Sequence, residues 1–353
     1  MRMKESPILP TYAGKTTVYI DQNVLTMVVK GNDLAFFTSL IDRFQVIYSD
    51  ETLREIKRSG QPEKFLAALD SLNAMHFRYQ FNDSFEPTGE MILHEVPAVQ
   101  AYGNYLQMEP VYDIMLAAAH QTTLKMYGGR SASTFTKIAS EQIDAFDGLI
   151  KSLSAPLAQL DYTHPHLRAP IEQYLLTLQS QYEQVSAMSA AEMTKHISDE
   201  TDQSGVQKYR SSVGMGPKEL NNVKPPNVIE KIWKIYQDLD GYRDQGYSIE
   251  NFLGIAANPL YGRDMQVHEK VTAIYNLLNM IGYKSDSKLK LEYRYVAAIS
   301  DAAHAAIGSR AHILLSADEA FVDKVRAIYE FLGVNTEVGL VCLVDGEVKI
   351  KIE

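Results

Sequence analysis

Ala298-Ile299-Ser300-Asp301-Ala302-Ala303-His304-Ala305-Ala306-Ile307-Gly308, running into Ala311-His312-Ile313-Leu314-Leu315-Ser316-Ala317-Asp318-Glu319-Ala320-Phe321, is the stretch that decides the fold. An acidic residue opens a small-residue helix, a short apolar strand follows, and a second Asp sits where that strand ends. The amino end offers the complement: Thr16-Thr17-Val18-Tyr19-Ile20-Asp21-Gln22-Asn23 is another short strand finished by an Asp. Carboxylates at the carboxyl ends of neighbouring parallel strands converge on one sheet edge, where open α/β folds place their ligands. Such a set in a polar crevice suits a hard cation.

Outward from these two stretches, residues 17–21 and 44–48 read as buried strands, and Phe77, Tyr79 and Phe81 alternate with polar residues as a third. Val24 to Val29 and Asp33 to Asp42 suit helical turns. Ser49 or Asp50 suits an N-cap, with carboxylates in the first turn that follows. From Pro62 a helix carries the stripe Phe65, Leu66, Leu69 and Leu72. From about 97 to 285 strand signals nearly vanish, and helical periods cover 105–127, 135–160, 169–190, 228–240 and 267–281, the last stopped by Gly282. Residues 197–227, rich in Ser, Gly, Asn and Pro, read as a mobile loop. Strand character returns at 312–317, and 337–352 reads as a hairpin turned at Asp345-Gly346. The expected fold class is α/β: one mainly parallel sheet flanked by helices and built from two halves, 1–96 and 286–353, around a large all-helical insertion at 97–285. Strands 17–21, 44–48 and 312–317 are expected to share that sheet, with helices on both faces as right-handed crossovers demand.

Composition narrows the function classes. At 353 residues the chain can bury a sizeable core. One cysteine, Cys342, excludes an internal disulfide and a Cys-based zinc site. No run reaches the roughly 18 apolar residues of a membrane span, and residues 1–16 lack a signal-peptide core, so a cytoplasmic setting is expected. The net charge of −10 argues against a non-specific nucleic-acid binding module. It argues less against an enzyme whose acidic site is neutralised by divalent metal.

Four carboxylates stand out: Asp21, Glu55, Asp301 and Asp318. Tyr19-Ile20-Asp21-Gln22-Asn23, Ser49-Asp50-Glu51-Thr52-Leu53-Arg54-Glu55-Ile56, Asp301-Ala302-Ala303-His304-Ala305 and Leu315-Ser316-Ala317-Asp318-Glu319-Ala320-Phe321 occur in that order. In this order they resemble the motifs of PIN-domain nucleases, a family of metal-dependent ribonucleases found in toxin–antitoxin modules and RNA-processing factors. The resemblance covers roughly 15–82 and 290–340. It departs from compact members in the long middle region, so substrate is not inherited from them. It implies a PIN-like fold with Asp21, Asp301 and Asp318 as ligands of Mg²⁺ or Mn²⁺, and Glu55 as a ligand or water-orienting base. Asn23 and Ser316 would fix the carboxylates, and His304, on the same helix face as Asp301, would contact phosphate or a metal-bound water. The chemistry needs no nucleophilic side chain: metal relieves carboxylate repulsion, lowers the pKa of water and clamps phosphate oxygens for in-line attack.

Each residue has a plainer reading beside the chemical one. Any one Asp could be a helix cap, Glu55 shares its helix face with Glu51, and His304 could be a packed, hydrogen-bonded histidine. Arg54, Lys57 and Arg58 could steer a phosphate backbone or simply be a solvated helix face; Lys208 and Arg210 could close over the site from the 197–227 loop. The expected function is a metal-dependent endoribonuclease acting on single-stranded or structured RNA, with DNA disfavoured. Two alternatives remain: a catalytically weak PIN-like scaffold whose helical region binds a protein such as an antitoxin or complex subunit, and a metal-dependent phosphatase or nucleotidase. A homodimer is compatible with either.

Overall fold

A computed structural model describes residues 9–81, 87–163, 165–197, 204–257 and 263–352. The sheet strands are β1 (Thr11–Tyr12), β2 (Lys15–Ile20), β3 (Phe44–Tyr48), β4 (Met75–Phe81), β5 (Pro87–His94), β6 (Ile313–Ser316), β7 (Glu337–Val344) and β8 (Glu347–Ile352). They form one sheet in the order β5-β4-β3-β2-β6-β7-β8, with β1 paired to β2. β4, β3, β2, β6 and β7 run parallel, while β1, β5 and β8 attach antiparallel. The three strands expected to share a parallel sheet do so. β2 is closed to water from Thr17 to Ile20, as a central parallel strand covered on both faces must be. β5 escapes sequence reading because Pro87 and Gly89 break its pattern; as an edge strand it tolerates them.

The order reverses at the middle of the sheet. From β2 the chain passes through α1 (Gln22–Val29) and α2 (Leu34–Arg43) to β3 on one side. From β6 it passes through α15 (Glu319–Leu332) to β7 on the other. Between β2 and β6 lies the crevice at the carboxyl ends where such sheets bind ligands. The close fit around β6 is visible at Gly339 of β7, where a Cβ would come within 2.7 Å of the Leu315 side chain. At the far end of β7 the Asp345-Gly346 turn has both residues at positive φ, 53° and 85°, the signature of the expected tight hairpin turn.

Two compact units emerge. The first comprises Met1–Tyr105, Val213–Asp286 and Ala297–Glu353; the second comprises Leu106–Ser212 and Ser287–Val296. The expected insertion boundaries at 97 and 285 therefore differ from the structure. Residues 213–286 belong with the sheet because α10 (Val228–Gln237) and α13 (Val267–Ile281) lay apolar faces against α15. Those faces carry Ile229, Ile232 and Tyr236 on α10, and Val271, Ile274, Tyr275 and Leu278 on α13. The vanishing strand signal marked the end of the strands, not the end of the domain. In the second unit, α6 (Phe135–Thr163) and α7 (Pro165–His196) pack side by side. Phe135, Ala139 and Ala190 form one of its cores, and Ile150 and Leu175 another.

The mobile loop expected over 197–227 is corrected in its described part. α8 (Gly205–Val213), which bears Lys208 and Arg210, and α9 (Pro217–Leu220) occupy it. The Ser204 hydroxyl accepts from the Gln207 amide at 3.0 Å to start α8, so the polar composition reflected a capped, exposed helix. Residues 198–203 lie outside the described residues. Among the described residues no helix is long and apolar enough to cross a membrane.

Candidate functional site

Both strand-end acids cap the helices that leave the sheet. Asp21 Oδ1 accepts from the Val24 amide at 2.9 Å and so starts α1. Its other oxygen accepts from the Ser316 hydroxyl, the last residue of β6, at 2.5 Å. The Asp21 amide in turn donates to the Leu315 carbonyl at 3.1 Å, which ties the ends of β2 and β6 together. Asp318 Oδ1 accepts from the Phe321 amide at 3.0 Å to start α15, and its own amide donates to Ser316 Oγ at 3.0 Å. Ser316 thus holds the Asp21 carboxyl and the Asp318 backbone amide. Asn23 reaches Asp21 Oδ2 only at a long 3.4 Å. Burial pushes the Asp21 carboxyl above the usual carboxylate range, against the Ser316 and Val24 bonds that favour its ionised form.

Glu55 and His304 meet across two elements. α3 (Asp50–Arg58) starts at Ser49, whose amide donates to the Thr52 hydroxyl at 3.3 Å. It brings Glu55 Oε2 to 2.9 Å from His304 Nε2 on α14 (Glu292–Gly308). His304 Nδ1 lies 2.6 Å from the Tyr19 hydroxyl of β2, which lies 2.7 Å from Ser49 Oγ. Burial alone would lower the His304 pKa; the Tyr19 phenol and the Glu55 carboxylate outweigh it and hold His304 well above the ordinary histidine value. For Glu55 burial acts to raise the pKa, but the His304 imidazolium, with Arg58 and Arg54, holds it below the ordinary value. His304 is thus a packed, hydrogen-bonded histidine, with both ring nitrogens held by Tyr19 and Glu55.

Glu51, which the sequence marked only as a neighbour of Glu55 on its helix face, takes part as well. It accepts from the Ser300 hydroxyl at 2.5 Å, and Ser300 accepts from Arg58 at 2.6 Å. Arg58 lies 3.2 Å from Glu55 Oε1, and Arg54 lies 3.5 Å from Glu51. Two of the three cations expected to face substrate are thus drawn onto their own helix's acids.

Asp301 is the outlier: it was expected to open its helix, but α14 begins at Glu292 and Asp301 lies well inside it. No hydrogen bond to its carboxylate occurs among the described residues. Burial, with the Asp286 and Glu55 carboxylates close by, pushes its pKa up to about 8. Beside it the Tyr275 ring is fully buried, and its hydroxyl has no hydrogen-bond partner among the described residues. That hydroxyl faces the charges of Asp301, Asp286 and Asp318. Two residues absent from the sequence reading complete the group. Lys324 of α15, wholly buried, donates to Asp286 Oδ1 at 2.8 Å and to Asn279 Oδ1 at 2.9 Å. Lys324 falls on one helical stripe with Phe321, Val325 and Ile328, a pattern that reads as an ordinary apolar face and so conceals it. Asp286, in the segment between α13 and α14, carried no sequence signal.

Asp21, Asp301 and Asp318 were expected to come close enough to share one Mg²⁺. Asp21 and Asp301 each feel the Glu55 carboxylate. Yet among the described residues no three His, Cys, Asp or Glu side chains are placed to hold a metal ion together. The donor chemistry nonetheless fits a hydrated divalent cation. Mg²⁺ is commonly held by one or two carboxylates and keeps several waters. Beside Asp318 and Asn23 a recess of about 390 Å³ opens, bordered by Thr26, Met27, Lys30 and Leu343 among others. Set against protein-family models, curated proteins and solved structures, the chain matches none of them.

Proposed function

We propose that the chain is a metal-dependent phosphodiesterase of PIN-like type, cleaving single-stranded or structured RNA. The observation that supports this reading is the Asp301 carboxyl on α14, which has no hydrogen-bond donor among the described residues and is pushed up to about 8 by burial and by Asp286 and Glu55. Asp21, Asp301 and Asp318 would hold Mg²⁺ or Mn²⁺, and the bound ion would supply charge to the phosphate oxygens and a more acidic water. Ser316 keeps Asp21 and Asp318 in register for this. His304 keeps Glu55 ionised and fixes its Oε2. Glu55 Oε1, held more loosely by half-exposed Arg58 at 3.2 Å, is the atom that orients an attacking water. Arg58 and Arg54 would transfer from Glu55 and Glu51 to substrate phosphates, and the recess beside Asp318 gives the strand room.

A second reading has a specific observation behind it. Lys324 stands among the acids, and three of them have a positive side chain as a close neighbour, which suits a catalytically weak scaffold. A substrate panel separates the readings. Labelled single-stranded RNA, hairpin RNA, single-stranded DNA and nucleoside monophosphates are incubated with Mg²⁺ or Mn²⁺. The proposal expects internal cuts in RNA, weaker cutting of DNA and no phosphate release from monophosphates. Phosphate release without cutting would replace it by the phosphatase reading, and inertness towards all four by the scaffold.

A further inference from the structure

We propose that the exposed apolar face of α7 is a dimer interface, pairing antiparallel with the same face of a second copy of this chain. The inference is independent of the metal-dependent reading.

Helix α7 carries two seams. Leu175, Gln179, Tyr182 and Ala190 turn towards α6. Leu175 packs with Ile150, Gln179 donates to Asp147 Oδ1 at 2.8 Å, the Tyr182 ring stacks on Phe146 at 4.2 Å, and Ala190 joins Phe135 and Ala139. The second seam is Ile171, Tyr174, Leu178, Gln181, Val185 and Met188, which recur at spacings of three and four. That is the repeat of a helix lying along another helix. Tyr174, Leu178 and Gln181 each stand one residue before a member of the α6 seam, so the second seam lies about 100° further round the helix. Ile171, at its end, also touches the Ile150–Leu175 core. Beyond it α6 gives no cover: Tyr174 is 49% exposed, Val185 65% and Met188 64%.

Single exposed apolar side chains need no explanation, but an aligned row of them does. Between Gln173 and Ala191 the one charged residue is Glu183, and it lies on the opposite side of the helix from the row. A solvated helix face normally carries charge, whereas Tyr and Met without charge are the composition of an interface core.

The row is complementary to itself, which selects a second copy as the occupant. About a two-fold axis between residues 179 and 180, Ile171 meets Met188 of the second copy, Tyr174 meets its Val185 and Leu178 meets its Gln181. The contact is isologous, as a closed dimer requires. Every layer sets an apolar side chain across the seam, and no seam residue is charged, so two chains of net charge −10 can approach here without local repulsion. The two Gln181 amides flank the axis, and a polar residue in such a seam fixes register at some cost in stability. From Ile171 to Met188 the seam is about 26 Å long. One helix pair of that length is small among specific interfaces, so the dimer should dissociate on dilution.

Sedimentation equilibrium over a dilution series tests this for wild type, Val185→Lys/Met188→Lys and Leu176→Lys, with circular dichroism to check helix content. All three positions are exposed and lysine is a good helix former, so the variants should fold. Wild type is expected to form a dimer that dissociates on dilution, and V185K/M188K to be monomeric throughout. L176K, altered on the opposite side of α7, should dimerise as wild type does. Spin labels at Lys195→Cys in a Cys342→Ser background read the direction. Antiparallel pairing sets them about 46 Å apart along the helices; parallel pairing would leave them about 10 Å apart. A wild type that stays monomeric would overturn the proposal, as would a dimer that survives V185K/M188K, a dimer lost equally in L176K, or a short distance between labels. If V185K/M188K loses helix content, the dilution series of wild type and the label distance decide.

Discussion

Asp301 and Glu55 are displaced in opposite directions from the ordinary carboxylate range, Asp301 up to about 8 and Glu55 down. Environments that drive like groups apart mark acid–base roles. The Asp301 shift is also a statement about stability. Its folded pKa lies above the unfolded value of 3.8, so the folded protein holds the extra proton. The Asp301 contribution to metal-free stability should therefore fall as pH rises from about 4 to about 8, and level off above. Asp301→Asn removes that penalty. Urea unfolding in EDTA should show its advantage over wild type absent near pH 4 and largest above pH 8. A variant less stable than wild type across that range would show the carboxylate to be favourably bonded. His304 carries the opposite sign of effect. Its folded pKa is raised above 6.5, so its contribution is complete below about pH 6.5 and is lost as pH climbs through the folded value. The deficit of His304→Gln should shrink towards alkaline pH in the same assay, and a constant deficit would mean that packing alone accounts for it. At this scale Asp21 and Ser316 were placed correctly at or beside strand ends and Asp318 at a helix start, because those are local signals, whereas Asp301 lies inside α14 and does not open it. Lys324 was hidden in an ordinary amphipathic pattern, and Asp286 and Tyr275 owe their roles to packing that spacing does not encode.

At the scale of elements, the strand-end acids serve structure first. Asp21 starts α1 and Asp318 starts α15, so the cap reading holds for both, and the proposed site would use the same carboxylates. Two substitutions at Asp21 separate them. Asn keeps an acceptor for the Val24 amide, whereas Ala removes it, so Asp21→Ala should be less stable than Asp21→Asn by about 1 kcal/mol. Both should abolish cleavage. Equal stability in chemical denaturation would show that the cap bond contributes nothing. Strand β3, helix α13 with its stop at Gly282, and the turn at Asp345-Gly346 were readable because apolar runs, a C-terminal glycine and a turn pair are local signals. β5 and α8 were not. An edge strand opening with Pro and Gly and a short polar helix are stabilised by partners distant in sequence or by a single cap.

For the whole molecule, the shared, mainly parallel sheet was within reach of the sequence and the extent of the helical unit was not. A helix pattern predicts an apolar face but not the surface that it will cover, and α10 and α13 cover α15. Charge is the other property of this scale. With a net charge of −10, RNA engagement requires local cations, and Lys57 and Arg58 on α3 are the candidates beside Glu55. With Ca²⁺ in place of Mg²⁺ to suppress cutting, Lys57→Ala/Arg58→Ala should weaken RNA binding. It should also flatten the plot of log affinity against log salt by roughly one unit for each phosphate no longer neutralised. An unchanged slope and affinity would leave that face merely solvated. The most direct test of the central claim is a cleavage time course on labelled single-stranded RNA by wild type, Asp21→Asn and Asp301→Asn, with Mg²⁺ and with EDTA. The account predicts cutting by wild type in Mg²⁺ alone and none by either folded variant; cutting that survives EDTA, or that both variants retain at the wild-type rate, would contradict it.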